Sequence, residues 1–225
     1  MCFSATASFG AAAILGTIGV VSLKKVREPS QIMFAAIPLV FAIQQACEGV
    51  VWLSFMQAGF QPWRITAMYS FLFFAQILWP LWIPVSFYLL ETGKTSRKWQ
   101  MAIIVAGGIV SLITTYRLFM FQTSVEILSH HIVYNIEAPH IYVIICNVLY
   151  FIATIIPGLV SANRSMKILS LLLFGSLVFS KIFYELYFIS VWCFFGALLS
   201  VVIVYMMKQF QRESSVEMRI TEMEN

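Results

Sequence analysis

Residues 66–121 read TAMYSFLFFAQILWPLWIPVSFYLLETGKTSRKWQMAIIVAGGIVSLITTYRLFMF, and this stretch decides the fold. It contains two long apolar runs, 66–89 and 101–121, separated by a short gap that carries three basic residues. A run of roughly 20 apolar residues is long enough for an α-helix to cross the hydrocarbon core of a bilayer. Short loops rich in Lys and Arg remain in the cytoplasm. The stretch therefore predicts two transmembrane helices joined by a cytoplasmic loop.

The same alternation of apolar runs and basic gaps extends over the whole chain. Eleven of the 14 Lys and Arg residues lie in the gaps 24–27, 94–98 and 164–167 or in the tail from 208 onward. The predicted spans are 5–23, 32–55, 66–89, 101–121, 141–160, 168–187 and 191–207. The sequence thus predicts an all-α polytopic membrane protein, a seven-transmembrane-helix bundle with its N-terminus outside and its C-terminus cytoplasmic.

The composition excludes a soluble globular fold. Hydrophobic residues make up 60% of the chain and charged residues 11%, which leaves too few polar groups to cover a water-exposed surface. Residues 1–210 are predicted to form one transmembrane domain, with 211–225 as a short cytoplasmic tail. The net charge of +4 is explained by cations beside helix ends that face anionic headgroups. The lipid bilayer is therefore the expected partner, and nucleic acid is not.

Two prolines interrupt the third predicted span within the segment WPLWIP at residues 79–84. Each proline removes a backbone N–H donor, so the helix loses hydrogen bonds to carbonyl groups one turn earlier. The segment therefore predicts a kink in this helix.

Glu48 lies inside the second predicted span, where a carboxyl group is costly and marks a functional site by default. Gln44, Gln45 and Trp52 share its helix face because they are three or four residues away. This polar stripe is expected to face the interior of the bundle. Glu48 is accordingly the candidate catalytic residue, and Gln45 and Trp52 are candidate substrate-binding residues. The alternative is that Glu48 clamps a neighbouring helix.

Lys181 and Glu185 form a second charged feature, one helical turn apart near the outer end of the sixth span. They can pair with each other, and a structural ion pair is the expected arrangement. Lys before Glu is nevertheless the weaker order for such a pair, which leaves room for a contact with Glu48 or Arg117. Arg117, Lys181, Glu185 and Trp192 are counted among the candidate substrate-binding residues.

The longest outer gap, 122–140, holds all three histidines of the chain. Residues 132–136 alternate in a short strand-like pattern, so the loop is expected to fold over the helix ends as a lid. Adjacent His130 and His131 would point to opposite faces of a strand, so at most one of them readily joins His140 in a common site. Two histidines and a carboxylate suit a divalent metal such as zinc, although no H-x-x-x-H or H-E-x-x-H spacing is present.

The cysteines offer two further possibilities at the outer surface. Cys2 and Cys193 lie at the predicted outer ends of the first and seventh spans, which are often neighbours in a closed bundle. They are expected either to form a disulfide in an oxidising exterior or to bind a metal as thiolates. Cys47 and Cys146 fit best as small apolar residues in packed helices.

Three blocks of this sequence resemble an uncharacterised bacterial membrane family. They are the opening Met1-Cys2-Phe3-Ser4-Ala5-Thr6-Ala7-Ser8-Phe9, the block from Gln44-Gln45 through Glu48-Gly49-Val50-Val51-Trp52, and Ser190-Val191-Trp192-Cys193-Phe194-Phe195. The resemblance implies a bacterial inner membrane location and supplies no activity. Seven helices with an outer N-terminus are also similar to the ceramidase and progestin-receptor-like hydrolases, whose Asp and H-x-x-x-H ligands have no counterpart in this chain.

Two classes of function remain after these exclusions. The first is an outward-opening membrane enzyme or metal site that acts on a lipid-soluble or periplasmic small molecule. The second is a non-catalytic binder, namely a sensor, small transporter or assembly partner. In both, a common outer cavity is expected to bring together one of the three histidines and the following residues: Gln45, Glu48, Trp52, Glu185 and Trp192.

Overall fold

The computed structural model describes residues 4–128, 131–137 and 139–224. Within them, seven helices are long and apolar enough to cross a membrane, which confirms the predicted all-α, seven-span fold. These helices are α1 (Ala5–Leu23), α2 (Pro29–Met56), α3 (Ala58–Leu90), α4 (Lys94–Met120), α5 (His140–Val160), α6 (Arg164–Phe183) and α7 (Glu185–Arg212). Several begin earlier than predicted, because polar residues at the membrane surface continue a helix that the apolar run alone does not reveal.

The second helix is the most buried of the seven, and α1 packs along its outer side. Two glycines permit this close approach. A Cβ atom on Gly19 would lie 2.7 Å from the backbone nitrogen of Leu39, and one on Gly49 would lie 2.8 Å from the ring of Phe9. The seventh helix packs against α1, α2 and α6 and so closes the bundle.

The third helix departs from α-helical geometry immediately before its first proline. Phe73–Leu78 is a π-helical segment, and Pro80 cannot donate a hydrogen bond to the carbonyl groups that precede it. Side chains of two other helices hydrogen-bond to this segment instead. The Tyr150 hydroxyl donates to the Ala75 carbonyl at 2.6 Å, and the Ser111 hydroxyl donates to the Ile77 carbonyl at 2.8 Å. Segments of this kind occur frequently at functional sites.

A β-hairpin covers one end of the bundle, which we call the hairpin end. Its strands, β1 (Thr123–Leu128) and β2 (His131–Ile136), pair antiparallel with Thr123 opposite Ile136. The predicted strand over 132–136 is therefore confirmed, and β1 is an addition. Three consecutive residues, Ile132, Val133 and Tyr134, are buried, and the Tyr134 ring stacks on Phe71 of α3 at 4.7 Å. These contacts fix the hairpin against the helix ends as the expected cover.

The opposite end, which we call the basic end, is joined by loops 24–28, 91–93 and 161–163. Glu91 ties two of these loops together, since its carboxylate accepts hydrogen bonds from the backbone nitrogens of Gly93 at 2.9 Å and Ala162 at 3.1 Å. The last helix continues beyond the span as Val201–Glu224. The division into a domain at 1–210 and a tail at 211–225 remains a prediction.

Candidate functional site

A buried polar cluster centres on Glu48 in the hairpin half of α2. Glu48 is 0% exposed, and its carboxyl group accepts a hydrogen bond from the Ser190 hydroxyl of α7. The adjacent Gln44 accepts a hydrogen bond from the Trp79 indole of α3 at 2.6 Å. The cluster therefore connects α2 to both α3 and α7. The predicted orientation of this polar stripe toward the interior of the bundle is confirmed.

Two adjoining cavities lie beside this cluster at the hairpin end. The hairpin cavity, about 210 Å³, lies beneath β2, and the mid cavity, about 230 Å³, lies deeper between α3, α5, α6 and α7. They share the wall residues Gln76, Asn147, Lys181, Phe188 and Ile189. Because they have these residues in common, the two cavities form one recess that runs from the hairpin into the bundle.

The candidate residues divide between the cluster and the recess. Arg117, Lys181 and Glu185 line the hairpin cavity, and Trp192 lines the mid cavity. Three other candidates are instead buried in the interior: Glu48, Gln45 and Trp52. Ser190 lies between the recess and this buried cluster, because it lines the hairpin cavity and its hydroxyl donates a hydrogen bond to Glu48. Contrary to the expectation of one common space, Glu48, Gln45 and Trp52 therefore do not line the recess.

Arg117 is the most informative residue of the recess. It lies in the last turn of α4, is 5% exposed and lines the hairpin cavity. Its buried Nε atom has no hydrogen-bond partner within the described residues, and none of their carboxylates forms a salt bridge with it. A guanidinium group withdrawn from water without an anion is destabilising by several kcal/mol. The recess thus contains a cationic group that lacks a counter-ion from the described protein.

Lys181 and Glu185 pair with each other at the rim of the recess. The Lys181 Nζ atom lies 2.6 Å from the Glu185 Oε1 atom, and both side chains are more than half exposed. The expected ion pair is confirmed, and the alternative contacts with Glu48 or Arg117 are not formed. Since the two opposite charges compensate each other, the rim leaves Arg117 as the uncompensated charge of the described recess wall.

The mid cavity opens between α5 and α6. These helices touch closely toward the basic end, where a Cβ atom on Gly158 would lie 2.0 Å from the Ser170 hydroxyl oxygen. Toward the hairpin end they separate, and the cavity lies between Asn147 and Phe151 of α5 and Leu177 and Lys181 of α6. Asn147 and Lys181 are exposed on the outside of the bundle. The recess therefore opens at the side of the bundle, between α5 and α6.

The predicted metal ligands do not assemble in the described chain. His131 stacks on Tyr187 with ring centroids 4.2 Å apart, His140 is exposed at the start of α5, and Cys193 is buried beside Gln44. His130 and Cys2 lie outside the described residues. Across the part that is described, no three His, Cys, Asp or Glu side chains come within reach of one ion, so the structure gives the zinc hypothesis no support. Cys193 has a free thiol.

Three wall residues were not anticipated from the sequence. Gln76, Asn147 and Tyr150 line the mid cavity, and the first two also line the hairpin cavity. Gln76 and Asn147 are neutral amides within apolar runs. Such amides indicate a polar site in the bundle less strongly than a charged residue does, but they can be recognised in the sequence. Tyr150 gives no such signal, since a tyrosine in a membrane helix is common.

The helices and the recess define a polytopic α-helical membrane protein with a polar cavity at one end of its bundle. Residues 1–218 match the family described as Family of unknown function (DUF6629), and the chain belongs to that family. The resemblance to an uncharacterised family is thereby confirmed. Neither the curated proteins nor the solved structures compared with this chain include a match.

Proposed function

We propose that this protein binds a lipid-soluble small molecule that carries an oxyanion, and that Arg117 is the counter-ion for it. The observation that carries the proposal is the burial of Arg117 at the wall of the hairpin cavity without an acceptor in the described chain. Carboxylate and phosphate are the groups that the planar guanidinium fork matches best. A bound oxyanion would supply both the missing charge and the missing hydrogen-bond acceptor.

Neutral donors surround the same space. The amide groups of Gln76 and Asn147 line both cavities, and each can donate two hydrogen bonds. The Ser190 hydroxyl already donates to Glu48, so it offers the recess its acceptor lone pairs. One cation with two amides is a set that can bind and orient an anionic head group.

The lateral opening between α5 and α6 supports a ligand that comes from the membrane. The hairpin covers the end of the bundle, where the stacking of Tyr134 on Phe71 fixes it to α3, and so narrows entry from water. An amphiphile can instead slide from the bilayer past Asn147 and Lys181, both of which are exposed. Its head group would meet Lys181 at the rim before reaching Arg117.

The placement in the cell forms part of the proposal. Eleven of the 14 basic residues lie in the gaps of the basic end or in the tail, and loops rich in Lys and Arg stay in the cytoplasm. The hairpin end, the recess and the N-terminus then face the periplasm of a bacterial inner membrane, and the C-terminus is cytoplasmic. Reporter fusions decide this: alkaline phosphatase should be active when fused within the hairpin and inactive when fused after Lys94, and the reverse pattern would contradict it.

Binding by the purified protein tests the function. A fluorescent long-chain carboxylate is titrated into wild type and into Arg117→Gln, Arg117→Lys and the matched control Arg97→Gln, which removes an exposed arginine at the basic end. We expect Arg117→Gln to weaken binding by roughly 100-fold, since truncating one partner of a buried charge pair costs 2–5 kcal/mol. Arg117→Lys should retain part of the affinity, and the control should match wild type. Equal affinity of wild type and Arg117→Gln would overturn the proposal.

A further inference from the structure

A third cavity continues the recess toward the basic end, and we call it the deep cavity. It measures about 60 Å³ and lies among side chains of α2, α3, α5, α6 and α7. Its wall is almost wholly apolar, with Tyr150, Thr154 and Ser200 as the polar exceptions. An apolar cavity of this kind stays dry and takes up hydrocarbon rather than water.

The deep cavity and the mid cavity share a wall. Tyr150, Trp192 and Cys193 line both of them. The Tyr150 and Trp192 rings are 5.4 Å apart, and the Tyr150 ring is held in place by its hydrogen bond to the Ala75 carbonyl. The buried Trp192 indole nitrogen has no acceptor within the described residues, and the ring is held by stacking on Phe188 with centroids 5.6 Å apart. Tyr150 and Trp192 therefore form the two aromatic sides of the boundary between the cavities.

The three cavities become less polar from the hairpin end toward the basic end. The hairpin cavity carries Arg117, the mid cavity carries the amides of Gln76 and Asn147, and the deep cavity is apolar. Along α7 the series runs from Ser190 to Ile203, which is roughly 20 Å at a rise of about 1.5 Å per residue. The deepest space is also the smallest, at about 60 Å³ against about 230 Å³ for the mid cavity. It has room for one slender chain.

We infer that the ligand is a single-chain amphiphile, with a terminal carboxylate or phosphate and a long linear hydrocarbon tail that passes between Tyr150 and Trp192 into the deep cavity. This inference rests on the proposed function, because Arg117 must hold the head group for the tail to reach that depth. The deep cavity then sets the longest tail that the protein accepts. A two-chain lipid does not fit, since the boundary leads to one narrow space.

A substitution that fills the deep cavity with a larger side chain tests whether the hydrocarbon tail lies there. Leu173 of α6 lines this cavity, whereas its neighbour Leu172 is 46% exposed on the outside of the bundle. Leu173→Trp occupies the tail space, and Leu172→Trp is the matched control with the same change of side chain. Binding to protein in lipid nanodiscs is measured by displacement of a fluorescent fatty acid with two series of competitors, linear carboxylates and linear alkyl phosphates of short, medium and long chain.

We expect Leu173→Trp to weaken binding of the long chains by about tenfold, since overpacking a filled site costs 1–3 kcal/mol, and to leave the short chains within about twofold of wild type. Leu172→Trp should match wild type at every length. The series that binds more tightly identifies the head group. Identical length profiles for Leu173→Trp and Leu172→Trp would overturn the inference while leaving the role of Arg117 intact. Failure of both series to bind wild type, or to distinguish it from Arg117→Gln, would overturn the proposed function itself.

A second variant guards against a folding defect. Thr154 lines the deep cavity and donates its hydroxyl to the Tyr150 carbonyl of its own helix at 2.8 Å. Thr154→Leu adds volume to the tail space, whereas Thr154→Val removes the hydroxyl and keeps the shape. A loss of long-chain binding in Thr154→Leu but not in Thr154→Val supports the tail site. The same length profile in both variants contradicts it.

Discussion

Glu48 and Arg117 are both buried, ionisable and close to the hairpin end, yet their surroundings differ. Glu48 accepts a hydrogen bond from Ser190 and is sealed among helices, whereas Arg117 borders a cavity and lacks an acceptor in the described chain. An intramembrane charge is a functional candidate by default, but this pair shows that the charge alone does not distinguish the two roles. The distinction depends on whether the group borders a space that a ligand can enter, as Arg117 does and Glu48 does not.

The largest expected effect on stability is at Glu48. Glu48→Ala removes the acceptor of Ser190 and leaves a void, so we expect the free energy of unfolding to fall by about 2–4 kcal/mol. Ligand binding by the folded fraction should stay near the wild-type value, because Glu48 stands behind the recess wall. Thermal unfolding in detergent measures the first quantity and ligand titration the second.

Glu126→Ala is the matched control for that experiment, since Glu126 lies at the same end of the bundle. Its carboxylate accepts a hydrogen bond from the Asn135 side-chain amide on the exposed face of the hairpin. Glu126→Ala should change neither the free energy of unfolding nor ligand binding. A Glu48→Ala protein that is as stable as wild type but has lost binding would reverse the assignment and make Glu48 the functional group.

Replacing Arg117 should change the free energy of unfolding in the opposite direction from replacing Glu48. Replacing an unpaired buried charge with an apolar side chain of similar length is neutral or stabilising, so Arg117→Met should leave the ligand-free protein unchanged or raise its free energy of unfolding by about 1–3 kcal/mol. Delipidated protein is required, because a bound anion stabilises wild type by mass action. A drop in stability would show that Arg117 holds the fold together, and the contrast with Glu48 would disappear.

A smaller effect is expected where α4 meets α3, since this contact positions Arg117 relative to Gln76. A Cβ atom on Gly107 would lie 2.0 Å from the Pro80 carbonyl oxygen, whereas Gly108 has open space around it. Gly107→Ala forces the helices apart and should destabilise by about 1–3 kcal/mol. Gly108→Ala should stabilise slightly, by up to about 1 kcal/mol. Equal melting temperatures for the two variants would mean that this close contact is not formed.

The smallest effect belongs to the exposed pair at the rim. Exposed ion pairs contribute little to stability and are screened by salt, so Lys181→Met should leave the melting temperature unchanged. Its expected effect is on the rate of ligand association, which should fall most at low salt, because the unpaired Glu185 carboxylate then repels an anionic head group. Stopped-flow binding at low and high salt measures this rate. A large loss of stability would show that the pair holds α6 rather than guiding a ligand.

The fold could be predicted from the sequence because two strong physical constraints act together. Apolar length sets each span, and the basic gaps at 24–27, 94–98 and 164–167 separate them. The burial of the Glu48 stripe followed from helical spacing, and the strand at 132–136 followed from alternation. These features are local, so a pattern of neighbouring residues contains the necessary information.

The site could be predicted only in part because it depends on contacts between distant segments. Four of the candidate substrate-binding residues line the recess, namely Arg117, Lys181, Glu185 and Trp192. The sequence did not indicate that Ser190 would stand between Glu48 and that space, because this contact joins α2 to α7 across 142 residues. The same holds for His131, whose stacking on Tyr187 depends on how the hairpin lies over the start of α7.

The most direct measurement of the central claim is mass spectrometry of what the protein carries. Wild type, Arg117→Gln and Arg97→Gln are purified in parallel in mild detergent, and the bound small molecules are extracted and quantified per mole of protein. The account predicts an anionic single-chain amphiphile in wild type and Arg97→Gln and its loss from Arg117→Gln. The same amphiphile at the same occupancy in all three proteins would contradict it.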